Sequence, residues 1–447
     1  MKKIISIGLL CLSFSLSAQT LSYGDMGILL TNENINGTAR FNALSGAFGA
    51  LGGDLSAVDI NPAGAAVFRN SEFSASFAFR NDEITSNYYG SSTQNEYDFN
   101  NFSQAGAVFV FNTPNNSEWR NVVLGFNYSR TNDFDGSWIA LGNSGLATWT
   151  GDEIDTDSYP YTQTTGQAFK NFTAGENKRY TFSIASQYNK KLYFGASINS
   201  YDINHFQQTT LEENNHDGNG NDLDASFLQE LSTYGDGISF SIGLIAKPNK
   251  NIRVGLAYQS PIWYSLIEDS IEEDSVLSYS NTGKSISYYS GINTFSYELR
   301  TPSKLTGSLA YIFNKNGLIS LDYTYKNYSN IHFKGNDFLT DNQDVKNDFN
   351  SSSGIRIGTE WRIDRLSLRG GYHTEQNPYK TAISSDNIRG FSLGAGLNFR
   401  GFKFDIAYQK DTNTAAYNFY PSDDFSVNSA ELDIDTSKIT ATLTLKL

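Results

Sequence analysis

Four arginines stand close together in the last third of the chain, Arg356, Arg362, Arg365 and Arg369, with Glu360 among them. The alternation of Ile355, Ile357, Thr359 and Trp361 puts Arg356, Glu360 and Arg362 on the opposite face of one strand. On the next segment Leu366, Leu368 and Tyr372 point one way, and Arg365 and Arg369 the other. A guanidinium fork grips a carboxylate through two parallel hydrogen bonds, so this cluster could seat an acidic head group. The same charges could close on Glu360, Asp322 and Asp405 as a salt-bridge ladder. A polar interior face needs no ligand to account for its charges, which favours the ladder.

Other reactive groups are scarce. The imidazoles are His205, His216, His332 and His373, and none lies in a nucleophile motif. His373 beside Thr374 and Glu375 is unspecific, so lipase or protease chemistry is disfavoured. Cys11 is the only cysteine and falls in the leader, which excludes disulfides and thiolate sites from the mature chain. Asp217-Gly-Asn-Gly-Asn-Asp222 has the flavour of a calcium loop. It lacks glycine at the sixth position, however, and has Leu228 where the bidentate Glu belongs. That run, Asp152–Asp157 and Glu268–Asp274 read as solvated surface, and neither metal nor cofactor is expected.

Apolar side chains also gather where loops need none. Phe227, Leu228, Leu231 and Tyr234 recur at helical spacing, predicting a short amphipathic helix within 207–235. Ile262, Trp263, Tyr264, Leu266 and Ile267 cluster at the start of the next long connection. The two groups either form a ligand groove or pack as a small loop core.

Strands have to carry these residues. After residue 70, six short connections (near 113–118, 190–191, 247–251, 314–317, 363–364 and 400–401) alternate with seven long ones (near 82–101, 132–177, 207–235, 266–291, 330–351, 375–387 and 412–435). Short turns at one end and long loops at the other, between an even number of strands, describe an outer-membrane β-barrel. The expected fold is therefore an all-β transmembrane antiparallel barrel of about fourteen strands. The last strand is the clearest: Ile439, Ala441, Leu443, Leu445 and Leu447 oppose Lys438, Thr440, Thr442, Thr444 and Lys446. Charges recurring on the polar side predict a wet lumen. Segment 292–313 contains Pro302, which cannot donate to a ladder, and reads as one kinked strand.

The ends and the composition agree. Lys2 and Lys3, the apolar run Ile4–Leu16 and Ser17-Ala18-Gln19 predict a signal peptide over 1–18. Without those two lysines, basic residues fall from 33 to 31 against 47 acidic, a formal charge of −16. Nucleic acid is an unsuitable partner for such a chain. The mean hydropathy of −0.40 fits a barrel whose apolar surface sits at alternate positions.

Residues 19–70 differ in kind from the barrel expected over 71–447. Gly37–Asp54 is small, apolar and glycine-rich and leads into Leu55–Phe68 without alternation, which predicts a plug folded into the lumen. The Gly-Ala-Phe-Gly-Ala stretch, the Asp54-Leu-Ser-Ala run and Asn61-Pro62-Ala63-Gly64 resemble the N-terminal hatch of FadL/TodX-type transporters of hydrophobic compounds. That resemblance implies passive uptake of molecules such as long-chain fatty acids, captured outside, held in the lumen and released sideways when the hatch shifts. It implies that Asn61 and Pro62, with Ala63 and Gly64, fix a turn, and that Gly46, Gly49, Gly52 and Gly53 allow close packing. It further implies ligand contact between the two long loops, at Phe227, Leu228, Leu231, Trp263, Tyr264 and Leu266. The implied partners are a hydrophobic small molecule or fatty acid and the lipid of a Gram-negative outer membrane. The chain departs from many such barrels in ending on Leu447 rather than an aromatic residue. The alternative role is a partner or shuttle in protein secretion.

Overall fold

The computed structural model describes residues 21–114, 116–149, 161–314, 316–420 and 427–447. The expected signal peptide and the Asp152–Asp157 run lie outside them. The strands are β1 (Glu72–Tyr88), β2 (Ser91–Asn112), β3 (Trp119–Asp133), β4 (Gly136–Gly142), β5 (Gln163–Tyr188), β6 (Leu192–His216) and β7 (Asp222–Ala246). Next come β8 (Ile252–Gln259), β9 (Trp263–Tyr279), β10 (Ser285–Tyr289), β11 (Asn293–Arg300), β12 (Lys304–Phe313) and β13 (Gly317–Asn327). The chain ends with β14 (His332–Lys334), β15 (Ser351–Ile363), β16 (Leu366–Glu375), β17 (Ile388–Asn398), β18 (Phe402–Tyr417) and β19 (Ala430–Lys446). Three pairs, β3/β4, β8/β9 and β11/β12, are single spanning strands broken in the middle, and β10 and β14 are short additions. That leaves a closed 14-strand antiparallel barrel, sealed by pairing of β1 with β19 from Glu72↔Lys446 to Asn87↔Glu431.

Two of the breaks are prolines in register. Pro261 separates β8 from β9 and Pro302 separates β11 from β12, and Thr301 bridges them, its N–H donating to Ile262 O and its Oγ1 accepting from Ile262 N. The kinked strand expected over 292–313 is this β11/β12 pair.

Outward side chains define the membrane band. Phe182 is 60 % exposed and Ile198 59 %, with Phe79, Leu309, Leu393 and Leu443 exposed beside them on other strands. A contiguous apolar surface on that scale is stable only against lipid. Above Phe79 the same face of β1 continues as Asn81, Glu83, Thr85 and Asn87, so the strand runs on past the membrane into water. Four connections expected as long loops are built largely this way. Residues 82–101, 207–235 and 266–291 are hairpins that prolong β1–β2, β6–β7 and β9–β10, and 163–177 prolongs β5. Phe227 to Tyr234 therefore lie on β7, paired with β9 (Phe227↔Ser275, Leu231↔Ile271), and not on the helix that their spacing predicts. Cross-strand pairing extended from the membrane outweighs a four-residue helical match.

The lumen is packed rather than wet. Inward Gln104, Asn127 and Thr181 are completely buried, covered by residues 21–70, which lie inside the barrel. Among the described residues no helix is long and apolar enough to cross a membrane; the strands do so.

Candidate ligand chamber and the segment that fills it

Local rules shape the luminal segment. Helix α1 (Tyr23–Thr31) starts at a capping box in which Ser22 Oγ accepts from Asp25 N, and Asp25 accepts from Ser22 N. Helix α2 (Ala39–Ala43) is capped by Thr38. Two 3-10 turns follow, Leu55–Asp59 capped by Asp54 and Pro62–Val67 capped by Asn61. Pro62 takes the first helical position, where its missing N–H costs nothing. Asn61 also donates through Nδ2 to Gly49 O at 2.7 Å and to the wall at Leu244 O, 3.2 Å. Gly46, Gly52 and Gly53 have φ of 72°, 58° and 66°, a left-handed region that other residues avoid. Gly49 instead serves close approach, since its N–H donates to Asp322 Oδ2 at 2.8 Å. Ala63 and Gly64 are buried, and Gly64 O accepts from Gly53 N at 3.1 Å.

Asp59 is a further anchor. Its carboxylate accepts from Asn127 Nδ2, Ser129 Oγ and Thr181 Oγ1 at 2.9–3.0 Å and pairs with Arg179 at 2.9 Å. The wall makes room for the segment with glycines of its own. A Cβ on Gly195 would fall 2.3 Å from Pro62 C, on Gly243 1.9 Å from Asn61 Oδ1, and on Gly255 2.4 Å from Gly49 O. On Gly358, Gly371 and Gly394 it would meet Leu44 or Ala43 at 2.5–2.7 Å.

Above these anchors the lumen becomes apolar. Met26, Ile28 and Leu30 of α1 pack among Phe134, Tyr201, Leu231, Ile262, Tyr264, Ile267, Tyr297, Leu299 and Phe333. Val345, from helix α3 (Leu339–Asp348), and Phe349 join the same cluster. At its floor lie three buried cations, Arg179, Lys304 and Lys326. Glu33 contacts Lys304 Nζ closely and Arg179 Nη1 at 3.6 Å, while Lys326 pairs with Glu375 at 3.4 Å.

Beside the chamber the wall is interrupted. The β2–β3 ladder ends at Gln104↔Ser129, level with outward Phe77 and Phe102, and β3 breaks from β4 at Phe134–Asp135. The luminal segment bonds to this stretch of β3: Asn34 N donates to Thr131 O at 2.7 Å and Asn36 Nδ2 to Arg130 O at 3.2 Å. Asn34 Nδ2 adds a bond to Asn132 Oδ1 at 2.8 Å.

The sequence profile of the family described as "Outer membrane protein transport protein (OMPP1/FadL/TodX)" matches residues 15–438. The chain belongs to the FadL/TodX family. A FadL homologue from Pseudomonas aeruginosa shares 13 % identity at a TM-score of 0.59, over 93 % of this chain and 99 % of its own. The CymD monoaromatic hydrocarbon channel gives 14 % and 0.56 over 93 % and 99 %, and the toluene transporter TodX of P. putida 13 % and 0.55 over 94 % and 99 %. At these identities the structures share the fold. No curated protein matches. As a FadL/TodX protein the chain is an outer-membrane transporter of hydrophobic compounds and not an enzyme. Its short turns face the periplasm and its long hairpins the exterior.

The residues singled out from the sequence divide accordingly. Leu231 and Tyr264 line the chamber, whereas Trp263 and Leu266, 40 % and 56 % exposed, face outward. Leu228 shares that outer face, and Phe227 packs on a separate extracellular cluster around Phe169 and Phe419. The six therefore do not form one groove between two loops, because strand alternation sends neighbours to opposite faces. The arginines lie at the periplasmic end. Arg369 bridges Glu360 at 2.8 Å and Asp405 at 2.6 Å, Arg362 pairs with Glu360 at 2.5 Å, and Arg40 from the luminal segment joins Glu360 at 2.7 Å. This is the ladder, with Arg40 as an added rung. Arg356 reaches towards Gly46. Arg365 sits exposed in a turn, lining with the ladder a cavity of about 560 Å³ below the luminal segment. At Asp217, Asn219 N and the backbone and side chain of Asn221 donate to the carboxylate. These bonds, the Asn221 amide first, hold its pKa below the usual carboxylate range. Glu33, Arg179, Lys304 and the wall glycines carry no sequence motif, although the inward positions of Arg179 and Lys304 follow from strand alternation.

Proposed function

We propose that the chain takes up amphipathic lipids, long-chain fatty acids foremost, into the apolar chamber and releases them sideways into the membrane. The observation that carries this reading is the pairing of an apolar chamber with a cationic floor at Arg179 and Lys304. An acyl chain suits the first and its head group the second, because a buried cation needs an anion. The interruption between β2 and β3 supports the route: it opens beside the same chamber at membrane depth, and residues 34–36 cover it as a hatch. Leu231 and Tyr264 are the two expected ligand contacts that this reading retains.

The test is mass spectrometry of lipids co-purifying with the detergent-extracted barrel, together with oleate uptake by vesicles carrying it. Leu231→Trp, which crowds the chamber, is expected to lower both occupancy and uptake. An empty wild-type barrel that takes up no oleate overturns the proposal; a second protein co-purifying in place of lipid would favour a role in secretion.

A further inference from the structure

The charges on the chamber floor balance only with the help of the luminal segment. Arg179 is matched by Asp59 and Lys326 by Glu375. Among the described residues the only ion pair of Lys304 is with Glu33. Lys304 is itself buried, so without Glu33 the floor keeps one positive charge away from water. A buried charge in that state requires a counter-ion.

Glu33 does not arrive alone. It closes a stretch whose preceding turns, Met26 to Leu30, are apolar and fill the chamber. Nine helical residues span about 13 Å, room for the carboxyl-proximal half of a long acyl chain. An apolar rod ending in one carboxylate therefore sits in an apolar chamber above one unmatched cation.

We propose that Tyr23–Glu33 is a built-in surrogate for the transported molecule, and that Glu33 stands where an amphiphile carrying a single carboxylate places its head group. The inference rests on the chamber being the ligand site. It narrows the ligand class to monoanionic amphiphiles and sets neutral hydrocarbons apart, since these cannot replace Glu33 on Lys304. It also couples binding to the wall: Asn34 and Asn36 follow Glu33 directly and hold the unpaired edge of β3. A carboxylate that displaces Glu33 draws them away from it.

The experiment measures binding of oleate and of its neutral methyl ester to the purified full-length barrel and to Glu33→Gln. If the surrogate occupies the site for all but a few per cent of the time, its loss raises oleate affinity about tenfold or more, and ester affinity changes far less. The double variant Glu33→Gln/Lys304→Met, in which the charge balance is kept, is expected to fold and to bind oleate and ester alike. Unchanged or weaker oleate binding by Glu33→Gln, with wild type binding normally, overturns the surrogate and leaves the chamber as ligand site. An equal gain for ester and acid likewise overturns the role of the carboxylate. If wild type and variants bind neither ligand, the chamber is not the site and both readings fall.

Discussion

The wall glycines offer a direct perturbation of the luminal segment. In Gly195→Ala the new methyl lies 2.3 Å from Pro62 C and 2.4 Å from Ala63 N, whereas carbon atoms pack at roughly 3.5–4.0 Å. The Asn61–Pro62–Ala63 turn must retreat by about 1 Å. That movement carries the Asn61 bond to the wall, at 3.2 Å to Leu244 O, beyond hydrogen-bonding range. Overpacking costs about 1–3 kcal/mol, and each buried group left unsatisfied adds about 1–3 kcal/mol. A total near 4 kcal/mol shifts release of the turn by about a thousandfold. The barrel itself is spared, because alanine suits strand β6 better than glycine does. A 14-strand barrel without its plug leaves an aqueous passage, so the assay is ion conductance in planar bilayers. Gly195→Ala is expected to show frequent openings with unchanged circular dichroism. Gly307→Ala, whose Cβ meets nothing within 4 Å, is the silent control. A Gly195→Ala barrel as closed and as stable as that control would refute the argument that these glycines exist to admit the segment.

Two further outcomes follow from side-chain geometry. Arg369→Met leaves Asp405 without its ion pair and Glu360 with one fewer partner, a loss of about 3–5 kcal/mol for a broken buried pair. It is read by urea unfolding in detergent, and Arg369→Met/Asp405→Asn is expected to regain part of the loss. On the outside, buried Glu213 accepts from Thr148 N and Oγ1, Trp149 N, Asn215 Nδ2 and Tyr420 Oη, and burial together with that carboxylate pushes the Tyr420 phenol above its ordinary pKa. Glu213→Ala unties the segment around Thr148 from that around Tyr420. It loses about 3 kcal/mol of local stability, so protease cleavage there on intact cells is expected to quicken about a hundredfold.

The spanning strands were legible because lipid demands an apolar residue at every second position, as on β19. Their extracellular halves were not, and β6 shows why. Gln207, Thr209, Glu213 and Asn215 face in, and Gln208, Thr210, Glu212 and Asn214 face out. With water outside and hydrogen-bonded polar groups inside, no hydropathy contrast marks the strand, and the segment reads as a polar loop. The helical spacing of Phe227, Leu228, Leu231 and Tyr234 arose where two faces of one strand each carry apolar groups. The plug was visible in its glycines and in Asn61-Pro62, which obey local backbone rules. Its partners were not: Glu33 and Lys304 lie 271 positions apart, and nothing in either neighbourhood names the other. Gly195 and Gly243 look like any strand glycines until the turn at Pro62 is placed against them.

The kind of anchor differs along the luminal segment, and this bears on the exit route. Residues 38–68 are fixed to nearly every side of the barrel. Ala39 N bonds Thr442, Asn42 bonds Thr440, Ser45 bonds Ser392, Gly49 bonds Asp322 and Arg40 bonds Glu360. Asp59 alone engages four wall residues. Residues 23–36 are held by Glu33, by Asn34 and Asn36 at the β3 edge, and by single bonds from Tyr379 to Asp25, Asn132 to Leu29 O, Tyr328 to Asn32 and Lys438 to Ile35 O, while the turns Met26–Leu30 are held by apolar packing. A transported amphiphile can replace that packing and the Glu33 contact with its own. It has nothing with which to replace the backbone and carboxylate bonds of the lower part. On the proposed route the apolar turns of the segment yield to the ligand while the bottom stays sealed, which favours release between β2 and β3 over passage straight through to the periplasm.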